Sequence, residues 1–153
     1  MKITTKVQYA VRALFDLAYH GGGGPAQIKE ISKRQKISPR YLEQIFHQLK
    51  KADLLETKRG PRGGYSLKKP AGEITPSQMI ETLEGPLELV PCLKPGSTKE
   101  CSVEESCVAK LVWQELQDKM ESHFNALNLE ELCRRARDMG IKREIRHRYM
   151  YYI

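Results

Sequence analysis

The chain has 153 residues, 40% hydrophobic and 29% charged, a balance that fits one globular domain, or a small domain with an appendage, and leaves little room for a deep catalytic cleft. No apolar run approaches the ~20 residues of a membrane span, and Lys2, Lys6 and Arg12 interrupt the first fifteen residues, so neither a span nor a secretory signal is expected and the reading is cytoplasmic, where thiols stay reduced. The net charge of +7 is unevenly spread: residues 1–72 carry fifteen Lys and Arg against five Asp and Glu, residues 73–133 four against twelve, and residues 134–153 seven against two, which marks the front as a polyanion-binding surface and excludes a uniformly cationic protein.

The first predicted element is a helix, because Ile3, Val7, Ala10, Val11, Leu14, Leu17 and Ala18 recur at three- and four-residue steps before Gly21–Gly24 and Pro25 stop it. A shorter helix is expected from Ala26 to Lys33, with Ile28 and Ile31 inward. A third opens at Ser38, a good N-cap, with Pro39 in the first turn. Leu42, Ile45, Phe46 and Leu49 form its apolar stripe. Arg40, Tyr41, Glu43, Gln44, His47 and Gln48 form its polar face. The period then changes to two short strands around a tip that carries Arg59 and Arg62 among Gly60, Gly63 and Gly64. Helices followed by a basic hairpin are the order of a winged helix-turn-helix, in which the second helix of the turn enters the major groove and the hairpin reaches backbone or minor groove.

Beyond Pro70, Thr75, Pro76 and Gln78 spell a capping box ahead of Met79, Ile80 and Leu83, and Gly85 and Pro86 close that helix. The stretch CLKPGSTKECSVEESC then places Cys92, Cys101 and Cys107 in a polar loop that could not wrap them in a core. From Glu104 to Leu127 runs the longest helical pattern, its stripe made of Val108, Leu111, Val112, Leu116, Met120, Phe124 and Leu127 over ~35 Å. A small domain offers little to cover such a face, so Leu111, Val112, Leu116, Met120 and Phe124 are expected to pair with a second copy; the alternative is that the helix folds back on its own domain. A short helix is expected from Asn128 to Met139, with Cys133 in the core. The resulting division is 1–72 for a DNA-binding domain, 73–103 for a connecting helix and cysteine loop, 104–140 for the dimerisation helix and its follower, and 141–153 for a basic, aromatic tail that either docks or stays loose.

The segment YLEQIFHQLKKADLLETKRGPRGGYSL, together with the opening MKITTKVQYAVRALFDLA, resembles the IscR/NsrR family of bacterial winged-helix transcriptional regulators, and the likeness runs over nearly the whole chain. The resemblance implies a mainly α fold, with a winged helix-turn-helix, a small β-hairpin wing and a long dimerisation helix. It implies base and phosphate contacts from Ser38, Arg40, Tyr41, Glu43 and Gln44, with Arg59 in the minor groove and Arg62 beside it at the tip. It also implies an iron–sulfur cluster held by Cys92, Cys101 and Cys107 plus one non-cysteine ligand. Thiolates bind iron well. Pro95 and Gly96 let the loop curl, and the helix start at Cys107 favours a thiolate, whereas Glu100, Glu104 and Glu105 oppose one.

The sequence departs from the family at the fourth ligand. Lys110 stands where some members have histidine, and Gln8 stands where others have an acidic residue on the partner's first helix. The fourth site is therefore open, filled by a small molecule, or taken by Glu104, and the cluster is either 2Fe–2S or 4Fe–4S. Zinc and a metal-free thiol switch are the rival uses of the same cysteines. The expected function is a homodimeric repressor that binds double-stranded, pseudo-palindromic operator DNA and senses iron, redox state or nitric oxide. The alternative is a cluster-free regulator that uses thiol redox chemistry or a small-molecule effector. No Ser/His/Asp order, H-E-x-x-H or phosphate loop suggests an enzyme, and a protein-interaction module would not need the basic front.

Overall fold

The computed structural model describes residues 3–94, 96–97, 101–103 and 106–144. Pro95, Glu100, Glu104, Glu105 and the tail from residue 145 onward lie outside the described residues. The first helix, α1 (Thr5–His20), starts where the Thr4 hydroxyl accepts the Val7 N–H and ends at Gly21. Val7, Ala10, Ala13, Leu14 and Leu17 are buried along it, and it touches four of the other five helices.

Helix α2 (Ile28–Gln35) begins two residues later than the apolar pattern suggests. The reason is non-local. Ala26 exchanges two backbone hydrogen bonds with Tyr65, at 2.8 and 2.9 Å, and is thereby held extended. Gln27 and Glu30 then form a capping box, and Lys36 stops the helix in the left-handed region at φ 54°. Helix α3 (Pro39–Lys51) follows the expectation, with the Ser38 hydroxyl accepting the Tyr41 N–H at 3.2 Å. Its whole apolar stripe, Leu42, Ile45, Phe46 and Leu49, has no exposed surface.

Strands β1 (Leu55–Lys58) and β2 (Gly64–Leu67) pair antiparallel, Leu55 opposite Leu67 and Lys58 opposite Gly64. At Gly64 a side chain could not be placed. A Cβ there would stand 2.3 Å from the Ala26 carbonyl oxygen, and φ is +151°. The wing is thus attached at its base to the α1–α2 loop.

Helix α4 (Pro76–Glu84) carries the expected Thr75–Gln78 capping box. Helix α5 (Val108–Ala126) is 19 residues and ~28 Å long, with Cys107 at its N-cap, and no residue in it is buried. Helix α6 (Leu129–Asp138) returns to α1. The Leu129 N–H donates to the Ile74 carbonyl at 3.0 Å, and Cys133 and Ala136 pack against Tyr19. One apolar core joins α1–α4, the base of the wing and the start of α6, and it closes without a buried residue from α5. No described helix is long and apolar enough to cross a membrane.

Candidate nucleic-acid interface and thiol loop

With the apolar stripe of α3 sealed in the core, its other face is left to solvent. Ser38, Arg40, Glu43, Gln44 and His47 are exposed. Tyr41 is half-buried because its ring meets the edge of Tyr9 in α1, with centroids 5.7 Å apart. Arg59 and Arg62 are exposed at the wing tip. Among the described residues no hydrogen bond or ion pair occupies the side chains of Arg40, Glu43, Gln44, Arg59 or Arg62. Lys36, Lys50 and Lys58 are also exposed, and the Lys50 ammonium donates to the Thr57 hydroxyl at 2.9 Å, joining α3 to β1.

A buried charge ties α2, the helix before α3, to α1. Asp16 in α1 is fully buried. Arg34 donates to both of its oxygens, with Nη2 at 2.7 Å, and the Gln35 amide donates to Oδ2 at 2.9 Å. Arg12 completes the set by donating to the Gln35 carbonyl. The Arg34 guanidinium is held in its charged form by the bond to Asp16. Every polar atom of the Asp16 carboxylate is satisfied, so burial costs are offset and α2 is locked onto α1. Sequence reading missed this pair. Asp16 lies off the apolar stripe, and its partner is eighteen residues away.

The three loop thiols lie along one segment. Cys92 is exposed in a 3₁₀ turn (Pro91–Leu93), Cys101 is exposed, and Cys107 is half-exposed at the start of α5. None is in a disulfide, and among the described residues no group of three or more His, Cys, Asp or Glu side chains is gathered for a metal. Glu104, the proposed carboxylate ligand, lies outside the described residues. Gln8 is exposed, its amide donating to the Ile3 carbonyl at 3.1 Å, and Lys110 is in the first turn of α5. Cys133 is buried, and burial pushes its thiol pKa up.

The thiol segment is joined to both halves of the molecule. At its start, the Thr4 hydroxyl donates to Glu84 at 2.7 Å and the Lys6 ammonium to the Leu83 carbonyl at 3.2 Å. These bonds connect the end of α4 to the beginning of α1. Further on, the Leu89 N–H donates to the Gln117 side chain of α5 at 3.3 Å. An open cleft of about 590 Å³ is lined by Glu88 to Pro91, Lys94, Gly96 and Ser97.

Along α5, Val108, Leu111, Val112, Trp113 and Leu116 are exposed, by 73% at Val108 and 42% at Trp113. Met120 is half-exposed, and Phe124 turns onto the core of its own chain. Trp113 extends this face but lies off the predicted stripe.

Comparison with known proteins gives consistent results. The model of the Rrf2 family, described as an iron-dependent transcriptional regulator, matches residues 3–135. The HTH-type transcriptional regulator IscR of Photorhabdus laumondii is 36% identical over 132 residues, 86% of this chain and 79% of that protein. Among solved structures, T. potens IscR superposes with a TM-score of 0.75 at 33% identity, over 94% of this chain and 93% of the other. CymR of B. subtilis, named as the global cysteine regulator of that organism, gives 0.73 at 30% identity, over 88% of this chain and 98% of the other.

Proposed function

The chain belongs to the Rrf2 family of transcriptional regulators, and from that premise we propose that it is a homodimeric repressor whose operator affinity is set by the chemistry of its thiol loop. The observation that supports DNA reading most directly is the exposed, uncommitted polar face of α3 on a helix whose other side is wholly buried. Arg40 supplies a phosphate or guanine contact and Glu43 accepts from a cytosine amine. Ser38, Tyr41 and Gln44 flank them. Arg59 reaches the minor groove and Arg62 the adjacent backbone. Pairing of two α5 helices through Leu111, Val112, Leu116 and Met120 presents two α3 helices to half-sites one turn apart, ~34–36 Å.

The donor chemistry of the loop fits an iron–sulfur cluster, since three unpaired, accessible thiols lie on one segment. Cys92, Cys101 and Cys107 would hold it. Bound there, a cluster supplies iron–thiolate bonds that iron starvation, oxygen or nitric oxide breaks. The chain's own part is mechanical. A change in the course of residues 85–107 acts on α1 through Thr4–Glu84 and Lys6–Leu83, and on α5 through Leu89–Gln117. That moves the recognition helices relative to the dimer axis and shifts the population competent for the operator. A cluster-free reading is favoured by one observation: Cys92 and Cys101 are exposed, and among the described residues no three metal-binding side chains are gathered, as a redox switch or a loop effector seated in the 590 Å³ cleft would allow.

The test is anaerobic purification with iron, sulfide and zinc analysis, followed by operator binding of the wild type, Cys101→Ala and Arg59→Ala. Matched iron and sulfide with a visible charge-transfer band, lost in Cys101→Ala together with a change in operator affinity, is the expected result. Iron-free protein after reconstitution would leave the metal-free thiol reading. Arg59→Ala should weaken operator binding by ~1–3 kcal/mol, and an unchanged midpoint would remove the wing from the interface.

A further inference from the structure

The polar side of α1 carries two side chains that lie outside the buried core, Tyr9 half-buried and Arg12 exposed. They share one face of the helix. The Arg12 guanidinium lies over the Tyr9 ring, 5.3 Å from its centroid. It also reaches across to the last residue of α2. Its Nε donates to the Gln35 side-chain oxygen at 3.4 Å, and its Nη2 donates to the Gln35 carbonyl. The Gln35 amide nitrogen donates in turn to Asp16 at 2.9 Å, so both ends of that amide are held by α1.

Gln35 leads into the turn between α2 and α3. Lys36 follows at φ 54°, and the Ser32 hydroxyl donates to the Ile37 carbonyl at 2.6 Å. Ser38 then caps α3, accepting the N–H of Tyr41. The Tyr41 ring comes back to α1. It stands at 79° to the Tyr9 ring, with centroids 5.7 Å apart. The Arg12–Tyr9 row therefore bears on α3 twice, at the turn before it and in its first turn. Arg40, Glu43 and Gln44, all exposed, are close neighbours of Tyr41 along that helix. Hydrophobic contact, which seats the other side of α3, is non-directional. Base-edge hydrogen bonds are directional and need their donors and acceptors held to ~0.5 Å. Ring and guanidinium contacts outside the core supply that direction.

We propose that Arg12 and Tyr9 are positioning residues for sequence readout, bracing the α2–α3 turn and Tyr41 so that the polar face of α3 meets base edges in register. Neither side chain contacts DNA itself. This rests on the DNA-binding reading of α3.

The experiment uses the full chain, Arg12→Gln, Tyr9→Leu, Tyr9→Phe, Tyr41→Leu and the double variant Tyr9→Leu/Tyr41→Leu. A site is selected in vitro by the full chain. Binding to that site and to a random duplex is followed by anisotropy across a salt series. Arg12→Gln and Tyr9→Leu should each lower the ratio of selected-site to random-duplex affinity about tenfold, the scale of one mismatched base pair. Random-duplex binding and the salt slope should not change. Tyr9→Phe keeps the ring and should restore the ratio that Tyr9→Leu loses. The double variant should lose no more than Tyr41→Leu alone, because Tyr9 acts through Tyr41. A salt slope that falls in Arg12→Gln, by ~0.9 for each guanidinium, would mean direct phosphate binding and overturns the proposal. Tyr9→Phe losing as much as Tyr9→Leu overturns it too, since the hydroxyl and not the ring would then act. Ratios unchanged in Arg12→Gln and Tyr9→Leu, additive losses in the double variant, or equal loss on both duplexes overturn it as well. A full chain that selects no site removes the DNA-binding reading itself, and this proposal with it.

Discussion

Asp16 shows how much of the packing of α2 on α1 depends on one side chain. Its carboxylate is fully buried and takes every hydrogen bond from Arg34 and Gln35 at the end of α2. Replacing Arg34 by Ala leaves that charge without its partner, which costs ~3–5 kcal/mol and frees α2 from α1. Chemical denaturation should show the loss, and Asp16→Asn/Arg34→Met should be milder than Arg34→Ala. His20 gives a second residue-scale expectation. Burial is the main cause of its lowered pKa, with Arg34 and Arg143 acting the same way and Asp16 and Glu144 opposing them. The folded protein therefore favours the neutral ring, whose Nδ1 accepts from Glu144. The stabilisation is complete above pH ~6.5 and is lost as pH falls through the lowered value. Thermal midpoints should drop on the acid side of that range, and His20→Gln should flatten the drop. A wild-type acid limb unchanged by His20→Gln would remove His20 as its cause.

At the scale of elements, the wing depends on a glycine more than on its own two strands. Gly64 allows the Ala26 carbonyl to approach and the Ala26–Tyr65 pair to form. Gly64→Ala should destabilise the fold by ~1–3 kcal/mol and raise amide exchange at Ala26 and Tyr65 together. Exchange raised at only one of them would mean the wing stays attached. This pairing also explains what sequence reading could and could not reach. Helices α1, α3 and α4 were legible because their signals are local: apolar spacing, the Ser38 cap, the Thr75–Gln78 box. The start of α2 was not, because Ala26 is held extended by a residue thirty-nine positions away. The docking of residues 141–144 on the end of α1 was not, because Tyr19 gives no hint in sequence of a partner beyond α6. The exposed face of α3 was legible as the complement of its stripe, yet the partial burial of Tyr41 by Tyr9 required the fold.

In the whole molecule, the core closes without α5, and the apolar residues of that helix stay in solvent. Leu111→Glu/Leu116→Glu should leave the helical fold intact and shift the sedimenting species from dimer to monomer. A variant that still sediments as a dimer would place the interface elsewhere. In the proposed dimer each protomer would complete its own core, so protomers would part and re-pair without unfolding. A population of such dimers would therefore shuffle subunits. Mixed pairs would then arise in which one thiol loop has reacted and its counterpart has not, and the output would have three levels where a permanently fused pair synthesised in one state would have two.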